Sequence, residues 1–422
     1  MSRAPVTAAT CLLLASCASS PYPPPGPESA GATAGPTTGS PWVGTWACGP
    51  QRTETGNLPP PPGLANRTLR QIVYTSIGGR QLRVRLSNAF GDGPVTLNAV
   101  HVAVSTGDSA IDASTDRALA FAGSPSVTIP AGRTLWSDGL AYPLAAQTTV
   151  AITIRFGAVP AGITGHPGSR TTSYLTTDDG VSAPSLAGAA TVTVNHWYYI
   201  TGIDVVPDAA PAAAIVTLGD SLTDGRGSTT NGNDRWPDDL SRRLRATAAT
   251  ARVAVLNQGI GGNAVVSGGL GPTAMERFPR DVLEQSGVRW LILFEGVNDI
   301  GAASGSGKMA ARSLINAFGG FIDAAHARKI RVYGVPLTPF AGSFYDSPDH
   351  QTARRMVNDW IRTSGRFDAV IDLDAAVRDP AEEPTNDAHL LAAYDVGDRL
   401  HLNPAGYQKM ADAIDLALFE DR

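Results

Sequence analysis

The octapeptide Ile215-Val216-Thr217-Leu218-Gly219-Asp220-Ser221-Leu222 decides the fold of this chain. Its apolar, β-branched start predicts a buried strand, and the Gly-Asp-Ser turn that follows places the Ser221 hydroxyl at the C-terminal end of that strand. Open α/β sheets bind their ligands at this edge. A serine hydroxyl acts as a nucleophile only when a base accepts its proton and hydrogen-bond donors stabilise the oxyanion. The rest of the chain must therefore supply both.

Downstream of this octapeptide, apolar runs alternate with segments whose apolar residues recur at helical spacing. The runs are residues 253–256, 290–294, 330–335 and 369–373, and the helical segments lie near 236–244, 314–322, 356–361 and 407–414. Short buried strands that alternate with amphipathic helices are typical of a parallel sheet covered by helices. The pattern therefore predicts an α/β domain with a doubly wound parallel sheet over residues 213–422.

The preceding residues, 42–206, show the pattern of an all-β domain. Apolar and polar side chains alternate over 82–86 and 150–156, and clusters of Asn, Gly, Pro and Asp separate such runs. This alternation predicts antiparallel, sandwich-like sheets, joined to the α/β domain by the Pro- and Ala-rich residues 207–211. Four tryptophans of the β domain are candidates either to stack on sugar rings or to fill the core: Trp42, Trp46, Trp136 and Trp197.

The N-terminus has the features of an export signal. Arg3 is followed by an apolar stretch and then by small residues, which is typical of a secretory leader. Leu14-Ala15-Ser16-Cys17 resembles the bacterial lipoprotein cleavage box, in which the cysteine carries the lipid. We therefore expect a lipoprotein-type signal peptide over 1–17, a Pro/Gly/Ser-rich linker over 18–41 and a cell-envelope or secreted location. An ordinary signal peptide with a chance cysteine is the alternative.

Composition argues against several classes of function. The net charge is −5, which disfavours a dedicated nucleic-acid binder. The three cysteines, Cys11, Cys17 and Cys48, form no pair or cluster with metal-ligand spacing. We therefore expect no metal, no cofactor and no nucleic-acid partner.

Four segments of the α/β domain carry polar residues at the positions where chemistry is expected. They are Gly219-Asp220-Ser221-Leu222-Thr223-Asp224-Gly225, Asn257-Gln258-Gly259-Ile260-Gly261-Gly262-Asn263, Gly296-Val297-Asn298-Asp299 and Asp398-Arg399-Leu400-His401. Three follow predicted strands, and the fourth precedes the last predicted helix. In this order they resemble the SGNH (GDSL) hydrolase family. Residues 288–290, 295–301, 336–340 and 394–398 further resemble its arylesterase-like subgroup, which is related to esterases of polysaccharide-degrading bacteria.

The resemblance implies a role for each matching residue. Ser221 matches the nucleophile, His401 matches the general base, and Asp398 matches the carboxylate that orients the imidazole. The oxyanion hole would combine the backbone N–H groups of Ser221 and Gly262 with the side-chain amide of Asn298.

Two of these positions have competitors. Gly261 is the alternative to Gly262 as an oxyanion donor. Asp395 is the alternative acid, although its six-residue separation from His401 fits the family motif poorly. Family members often carry proline directly after the histidine, whereas this chain has Leu402-Asn403-Pro404. We expect Pro404 to open the last helix.

The resemblance favours a serine esterase that hydrolyses short acyl esters, foremost O-acetyl groups on carbohydrate, through an acyl-enzyme. Its partners would be the ester substrate, possible polysaccharide chains and, through the Cys17 lipid, a membrane. A lipase, lysophospholipase or arylesterase of the same family is the nearest alternative. An acyltransferase and a non-catalytic carbohydrate-binding lipoprotein are the alternatives from other classes.

Overall fold

The computed structural model describes residues 41–188, 190–304, 306–381 and 388–420. The predicted signal peptide, Cys17 and nearly all of the 18–41 linker lie outside the described residues, and these interpretations stay predictions. Within the described ranges, no helix is long and apolar enough to cross a membrane.

The N-terminal region consists of antiparallel sheets. Its strands are β1 Val43–Ala47, β2 Gln51–Arg52, β3 Thr68–Tyr74, β4 Gly79–Asn88, β5 Val95–Gly107, β6 Ala110–Ile111, β7 Arg117–Ala118, β8 Val127–Ile129, β9 Arg133–Trp136, β10 Leu140–Leu144, β11 Thr149–Phe156, β12 Thr164–His166, β13 Ser173–Thr176, β14 Thr191–Val194, β15 Trp197–Tyr198 and β16 Ile200–Val206. One sheet has the order β1-β16-β4-β10 with β9 on β4, and another has β14-β13-β3-β11-β5-β6 with β7 and β8 on β5. A small third sheet has the order β15-β12-β2.

The tryptophans of this region divide into two groups. Trp46 and Trp197 are buried and meet edge to face with ring centroids 5.0 Å apart, so they fill the core. A sugar-stacking role for these two is therefore wrong. Trp42 and Trp136 are half-buried, and the Arg83 guanidinium lies over both rings, at 4.8 Å and 4.2 Å from their centroids.

The C-terminal region alternates strands with helices, as predicted. Its elements are β17 Ala213–Gly219, α1 Ser221–Asp224, α2 Trp236–Ala246, β18 Val253–Gly259, α3 Ala274–Phe278, β19 Val288–Phe294, α4 Val297–Gly301, α5 Gly307–Ala327, β20 Arg331–Gly334, α6 Pro348–Thr363, β21 Ala369–Val370, α7 Leu373–Val377 and α8 Pro404–Asp412. The five strands pair in parallel in the order β18-β17-β19-β20-β21. The predicted fold class, a parallel α/β sheet after an all-β region, is thus confirmed.

The helices form where the sequence pattern places them. In α2, Trp236, Leu240 and Leu244 recur every four residues and are completely buried, so one face of the helix packs on the core. Helix α8 begins at Pro404, as expected, and the Asn403 side chain caps its first turn.

The fifth strand is shorter than its apolar run. Residues 369–373 suggested one continuous strand, but β21 ends at Val370. The Asp372 side chain accepts a hydrogen bond from the Ala375 N–H at 2.9 Å and starts α7 at Leu373. An N-terminal cap therefore overrides the β-propensity of the run.

The sheet order fixes where the site lies. Strand β17 is central, with β18 on one side and β19 on the other, so the C-terminal ends of these three strands meet at the point where the winding reverses. In open α/β sheets this point forms the ligand-binding crevice.

The two regions pack directly on each other within one compact unit. The Gly44 N–H donates to the Ser286 carbonyl at 2.9 Å, and the Val255 N–H donates to Ser76 Oγ at 3.2 Å. Asp204 accepts hydrogen bonds from Arg83 at 2.7 Å and from the Ser286 hydroxyl at 2.6 Å. Polar contacts therefore join the antiparallel sheets to the parallel sheet.

Candidate active site

Ser221 stands at the tip of the central strand. Every residue of β17 is buried, and a Cβ at Gly219 would lie 2.7 Å from the Phe294 carbonyl oxygen of the neighbouring strand, so the close strand approach requires glycine. Asp220 accepts a hydrogen bond from the Leu222 N–H at 2.9 Å and caps the four-residue helix α1. The chain therefore turns sharply and places Ser221 as the first helical residue.

The structure brings Ser221, His401 and Asp398 together. Ser221 Oγ lies 2.9 Å from His401 Nε2, and His401 Nδ1 lies 2.7 Å from Asp398 Oδ2. The other carboxylate oxygen accepts the backbone N–H groups of His401 at 2.9 Å and Leu400 at 3.1 Å. Because a carboxylate only accepts, Nδ1 carries the proton, and Nε2 of the neutral ring is free to accept from the serine.

The competing acid, Asp395, has a different place. Its carboxylate accepts the backbone N–H groups of Gly397 at 2.8 Å and Arg399 at 3.0 Å. It therefore stabilises the loop that carries Asp398 and does not orient the imidazole. Arg399 has a left-handed backbone, with φ of 60°, within this loop.

The surroundings keep His401 neutral near pH 7. Burial lowers the pKa of His401, and the nearby charges of Arg226 and Arg170 lower it further, while Asp398 opposes them. Burial alone would raise the pKa of Asp398, but hydrogen bonds from His401 hold it below its ordinary value. At neutral pH the pair is therefore a neutral imidazole beside an ionised carboxylate, as a general base requires.

Residues 259–263, the oxyanion loop, begin at the last residue of β18 and pack against helix α1, which begins at Ser221. The Gly261 N–H donates to Asp224 Oδ2 at 3.0 Å, so it is already engaged. Gly262 has φ of 72°, and neither its N–H nor that of Ser221 donates to another of the described residues. Of the two candidate glycines, Gly262 is thus the one with a donor available.

Asn298, in α4, completes the donors. Its Nδ2 donates to the Asn263 carbonyl at 2.7 Å, and its Oδ1 accepts from the Tyr345 hydroxyl at 2.9 Å. Since a carbonyl only accepts, these two contacts fix which end of the amide faces the loop. The second Nδ2 hydrogen remains for a substrate oxygen. The next residue, Asp299, accepts two backbone N–H groups of residues 265–266, which joins α4 to the residues just after the oxyanion loop.

A buried arginine lies beneath these groups. Arg277 is 1% exposed and donates to the carbonyls of Gly219 at 3.0 Å and Gln258 at 2.5 Å, and to Asn263 Oδ1 at 2.9 Å. Asp281 lies 3.3 Å from the same guanidinium. Arg277 therefore joins the ends of β17 and β18 to the oxyanion loop.

Two buried carboxyls stand next to Arg277. Burial raises the pKa of Asp220 to about 7, although the hydrogen bond from the Leu222 N–H opposes the shift. Burial raises the pKa of Glu295 well above its ordinary value; the Asp220 carboxyl adds to this rise, and Arg277 offsets only part of it. A protonated Glu295 keeps negative charge away from the strand ends where an oxyanion would form.

Sequence reasoning missed four residues of this site: Asp224, His166, Arg277 and Tyr345. Asp224 belongs to the Ser221 segment, but the family resemblance assigns it no role, and His166 has no motif around it. Arg277 and Tyr345 lie in segments without a motif, so no local signal marks them. Within the described part of the chain, no group of three or more His, Cys, Asp or Glu side chains is placed to bind a metal.

Comparison with known proteins gives the same part of the chain a family. Residues 217–409 match the model of the GDSL-like lipase/acylhydrolase family. No curated protein sequence matches the chain.

Solved structures are similar to about half of the chain. A carbohydrate acetylesterase from Sinorhizobium meliloti is 14% identical, over 49% of this chain and 99% of its own, with a TM-score of 0.37. An aryl esterase from M. smegmatis is 15% identical, over 48% and 96%, with a TM-score of 0.37. A catalytic mutant of an acetylxylan esterase from Geobacillus stearothermophilus is 19% identical, over 49% and 94%, with a TM-score of 0.36.

The lowered pKa of His401 predicts how activity depends on pH on the acidic side of the pH profile. The rate constant kcat/KM on a chromogenic acetate ester should fall as the pH drops through the pKa of His401, because the protonated ring cannot accept the serine proton. Since that pKa is lowered, the midpoint should lie below 6.5. Arg170→Gln removes a charge that disfavours the imidazolium and should move the midpoint to higher pH. The exposed Arg117→Gln is the control, and an unmoved midpoint in Arg170→Gln would contradict the assignment.

Proposed function

Residues 217–409 belong to the GDSL-like lipase/acylhydrolase family, which makes this chain a serine ester hydrolase, and we propose that it cleaves short acyl esters, foremost O-acetyl groups on carbohydrate. The observation that carries the proposal is the hydrogen-bonded series from Ser221 through His401 to Asp398, with donors beside it. A family resemblance alone would leave the chemistry to analogy, whereas this geometry supplies each required group.

The geometry supports the following steps. Ser221 Oγ attacks the ester carbonyl carbon while His401 Nε2 accepts its proton, and Asp398 stabilises the imidazolium. The oxyanion that forms accepts hydrogen bonds from the N–H groups of Ser221 and Gly262 and from Asn298 Nδ2. Collapse of this intermediate breaks the bond to the alcohol, which leaves with the proton from His401.

Water completes the cycle. His401 accepts a proton from a water molecule as the water oxygen attacks the acyl carbon on Ser221. The second tetrahedral intermediate uses the same donors. It collapses as His401 returns the proton to Ser221 Oγ, which releases the carboxylic acid and restores the serine hydroxyl. An alcohol in place of water would give acyl transfer, and product analysis with a sugar acceptor distinguishes the two outcomes.

A cavity whose lining includes polar side chains is a candidate subsite for a carbohydrate, although no residue of the Ser221 site lines it. Its volume is about 370 Å³, and hydroxyl, amide and phenol groups contribute to its lining, among them Ser105, Thr149, Thr172, Tyr174, Asn231 and Asn233. Sites for sugars combine such hydrogen-bonding groups with an aromatic face. The cavity segment 171–172 directly follows Arg170, whose charge acts on His401. The preference for acetyl comes from the subgroup resemblance of residues 295–301 and 394–398.

Exposed apolar side chains near the site favour a second candidate, a lipase or arylesterase. Leu270 is 51% exposed and lies against Gly262. Phe344 is 68% exposed, and its ring centroid lies 4.4 Å from that of Tyr345, the partner of Asn298. Such side chains would contact an aryl group or a longer acyl chain. The hypothesis of a non-catalytic carbohydrate-binding protein is not favoured by the site, since a binding protein does not require the Ser221–His401 contact.

We propose that the protein acts at the cell envelope or outside the cell. The support is the leader-like sequence of residues 1–17, with its lipoprotein-type box ending at Cys17, and the tether-like composition of residues 18–41. A diacylated and N-acylated cysteine would supply more than one lipid chain, which stable anchoring requires.

Removal of the nucleophile tests the chemistry. Ser221→Ala should lower kcat on a chromogenic acetate ester by at least about a thousandfold, because triad members act as a unit. Ser228→Ala, which removes a nearby hydroxyl bound to the Gly225 carbonyl at 2.7 Å, is the matched control and should keep its activity. Activity retained in folded Ser221→Ala would show that another residue is the nucleophile.

Substrate preference tests the acyl and alcohol halves separately. We expect kcat/KM to fall from acetyl through butyryl to octanoyl esters of one chromogenic alcohol, and we expect acetate release from acetylated xylan. Rising kcat/KM with chain length would instead favour the lipase. Activity on simple acetates without any release from acetylated polysaccharides would leave the arylesterase as the better assignment.

Cys17→Ser tests the anchor. Expressed from the full chain in a bacterial host with lipoprotein processing, the wild-type protein should sediment with membranes, while Cys17→Ser should move to the soluble exported fraction. The control is Cys11→Ser, which should stay with membranes because the proposed lipidation site is intact. An unchanged membrane fraction for Cys17→Ser would contradict lipidation at this residue.

A further inference from the structure

A histidine of the N-terminal region makes a buried contact with the segment that carries the nucleophile. His166, the last residue of β12, is 3% exposed, and its Nε2 lies 3.0 Å from Asp224 Oδ1. Asp224 ends helix α1, which begins at Ser221, and is itself 1% exposed. The antiparallel sheets therefore contact the nucleophile helix through one polar pair.

Both ring nitrogens of His166 face acceptors. Nδ1 lies 2.9 Å from the Gly49 carbonyl oxygen, and Nε2 faces the Asp224 carboxylate. A carbonyl and a carboxylate only accept hydrogen bonds, so a ring nitrogen of His166 can take part in either contact only as a donor. Burial would raise the pKa of Asp224, but His166, Arg170 and Arg235 outweigh it and hold that pKa below its ordinary value.

The second oxygen of the same carboxylate binds the oxyanion loop. Asp224 Oδ2 accepts the Gly261 N–H at 3.0 Å, one residue before the donor Gly262. The loop contains glycines at 259, 261 and 262, so its backbone has little conformational preference of its own. Beside the loop's own turn bond, from the Asn263 N–H to the Ile260 carbonyl at 3.1 Å, hydrogen bonds from outside the loop therefore help to determine where the Gly262 N–H points.

Neighbouring groups fix the pair in place. The Trp197 ring stacks on His166 with centroids 5.6 Å apart and an interplanar angle of 23°. Asp224 is also enclosed. A Cβ at Gly168 would lie 1.8 Å from Asp224 Oδ2, so the backbone of the N-terminal region packs directly against the carboxylate. The carboxylate thus has little freedom to move away from Gly261.

We propose that His166 is a positioning residue for ester hydrolysis: by binding Asp224 it fixes the oxyanion loop so that the Gly262 N–H faces the developing oxyanion. This inference rests on the proposed function, and it makes the N-terminal region part of the catalytic architecture. An oxyanion donor displaced by about 1 Å loses much of its effect on the transition state, whereas substrate binding is less sensitive.

The test separates the two ring nitrogens of His166. Asparagine retains a donor near the position of Nδ1 and loses the one at Nε2, whereas glutamine places a donor near Nε2. We expect His166→Asn to lower kcat on a chromogenic acetate ester at least about tenfold with KM changed less than about threefold. His166→Gln should recover most of this loss. Inhibition by a phenylboronic acid, whose tetrahedral adduct places an oxygen in the oxyanion hole, should weaken in His166→Asn by the same factor as kcat/KM.

A matched pair elsewhere in the N-terminal region is the control. His101 Nδ1 lies 2.9 Å from Asp116 Oδ2 in the same kind of pair, within the antiparallel sheets. His101→Asn should keep wild-type kcat and wild-type boronic acid inhibition, even if its melting temperature falls. A purely structural role of His166 would give the same result in His166→Asn, and this result would overturn the inference.

A second variant reaches the carboxylate without changing the histidine. Gly168→Ala should displace Asp224 from Gly261, so kcat and boronic acid affinity should fall together in the folded protein. Wild-type kcat and wild-type boronic acid affinity in folded Gly168→Ala would overturn the inference. This outcome can be measured even if His166→Asn does not fold. Failure of the proposed function looks different, because the wild-type protein would then neither hydrolyse the ester nor bind the boronic acid.

Discussion

The guanidinium of Arg277 lies beneath the candidate site and binds three parts of it at once. It donates to the carbonyls that end β17 and β18, and to the side chain of Asn263 in the oxyanion loop. The Asn263 carbonyl in turn accepts the amide of Asn298. Burying a cation is costly, and here three oxygen acceptors and the Asp281 carboxylate offset that cost. One buried charge therefore joins the ends of β17 and β18 to Asn263.

The charges around Arg277 serve the same site. Asp281, close to the guanidinium, is ionised, since Arg280 and Arg277 outweigh its burial and lower its pKa. Glu295 has a raised pKa and can stay neutral. A neutral Glu295 adds no negative charge at the C-terminal ends of the strands, and the charge of Asp281 is compensated by the two arginines. Beside this layer, the contact between His166 and Asp224 adds support from the antiparallel sheets. Both halves of the described molecule thus contribute to the position of the oxyanion loop.

Local patterns in the sequence predicted the elements that depend on local chemistry. The apolar runs predicted the strands of the parallel sheet, and Pro404 predicted the start of α8. The spacing of Asp398 and His401 placed both on one loop, where the structure joins them by a hydrogen bond. The run at 369–373 misled because an Asp372 cap competes with the strand, and such a competition is decided by hydrogen bonds that a hydropathy pattern does not contain.

The residues that sequence reasoning missed act over long sequence separations. His166 meets Asp224, and Tyr345 meets Asn298, only after distant segments have folded together. Trp46 and Trp197 were candidates for sugar stacking but fill the core. The sequence could not separate these roles, because an aromatic residue is the same in a sequence whether it fills a core or faces a sugar. Burial decides between these roles, and burial is a property of the tertiary structure.

Covalent labelling with a fluorophosphonate, followed by peptide mass spectrometry, tests most directly whether the structure activates one serine. This reagent phosphonylates serines whose hydroxyl has a base and an oxyanion hole beside it. The geometry predicts one phosphonyl group per chain, on Ser221, and none in the His401→Ala variant. An enzymatically active preparation that carries the label on another serine, or that leaves Ser221 unlabelled, would contradict the account.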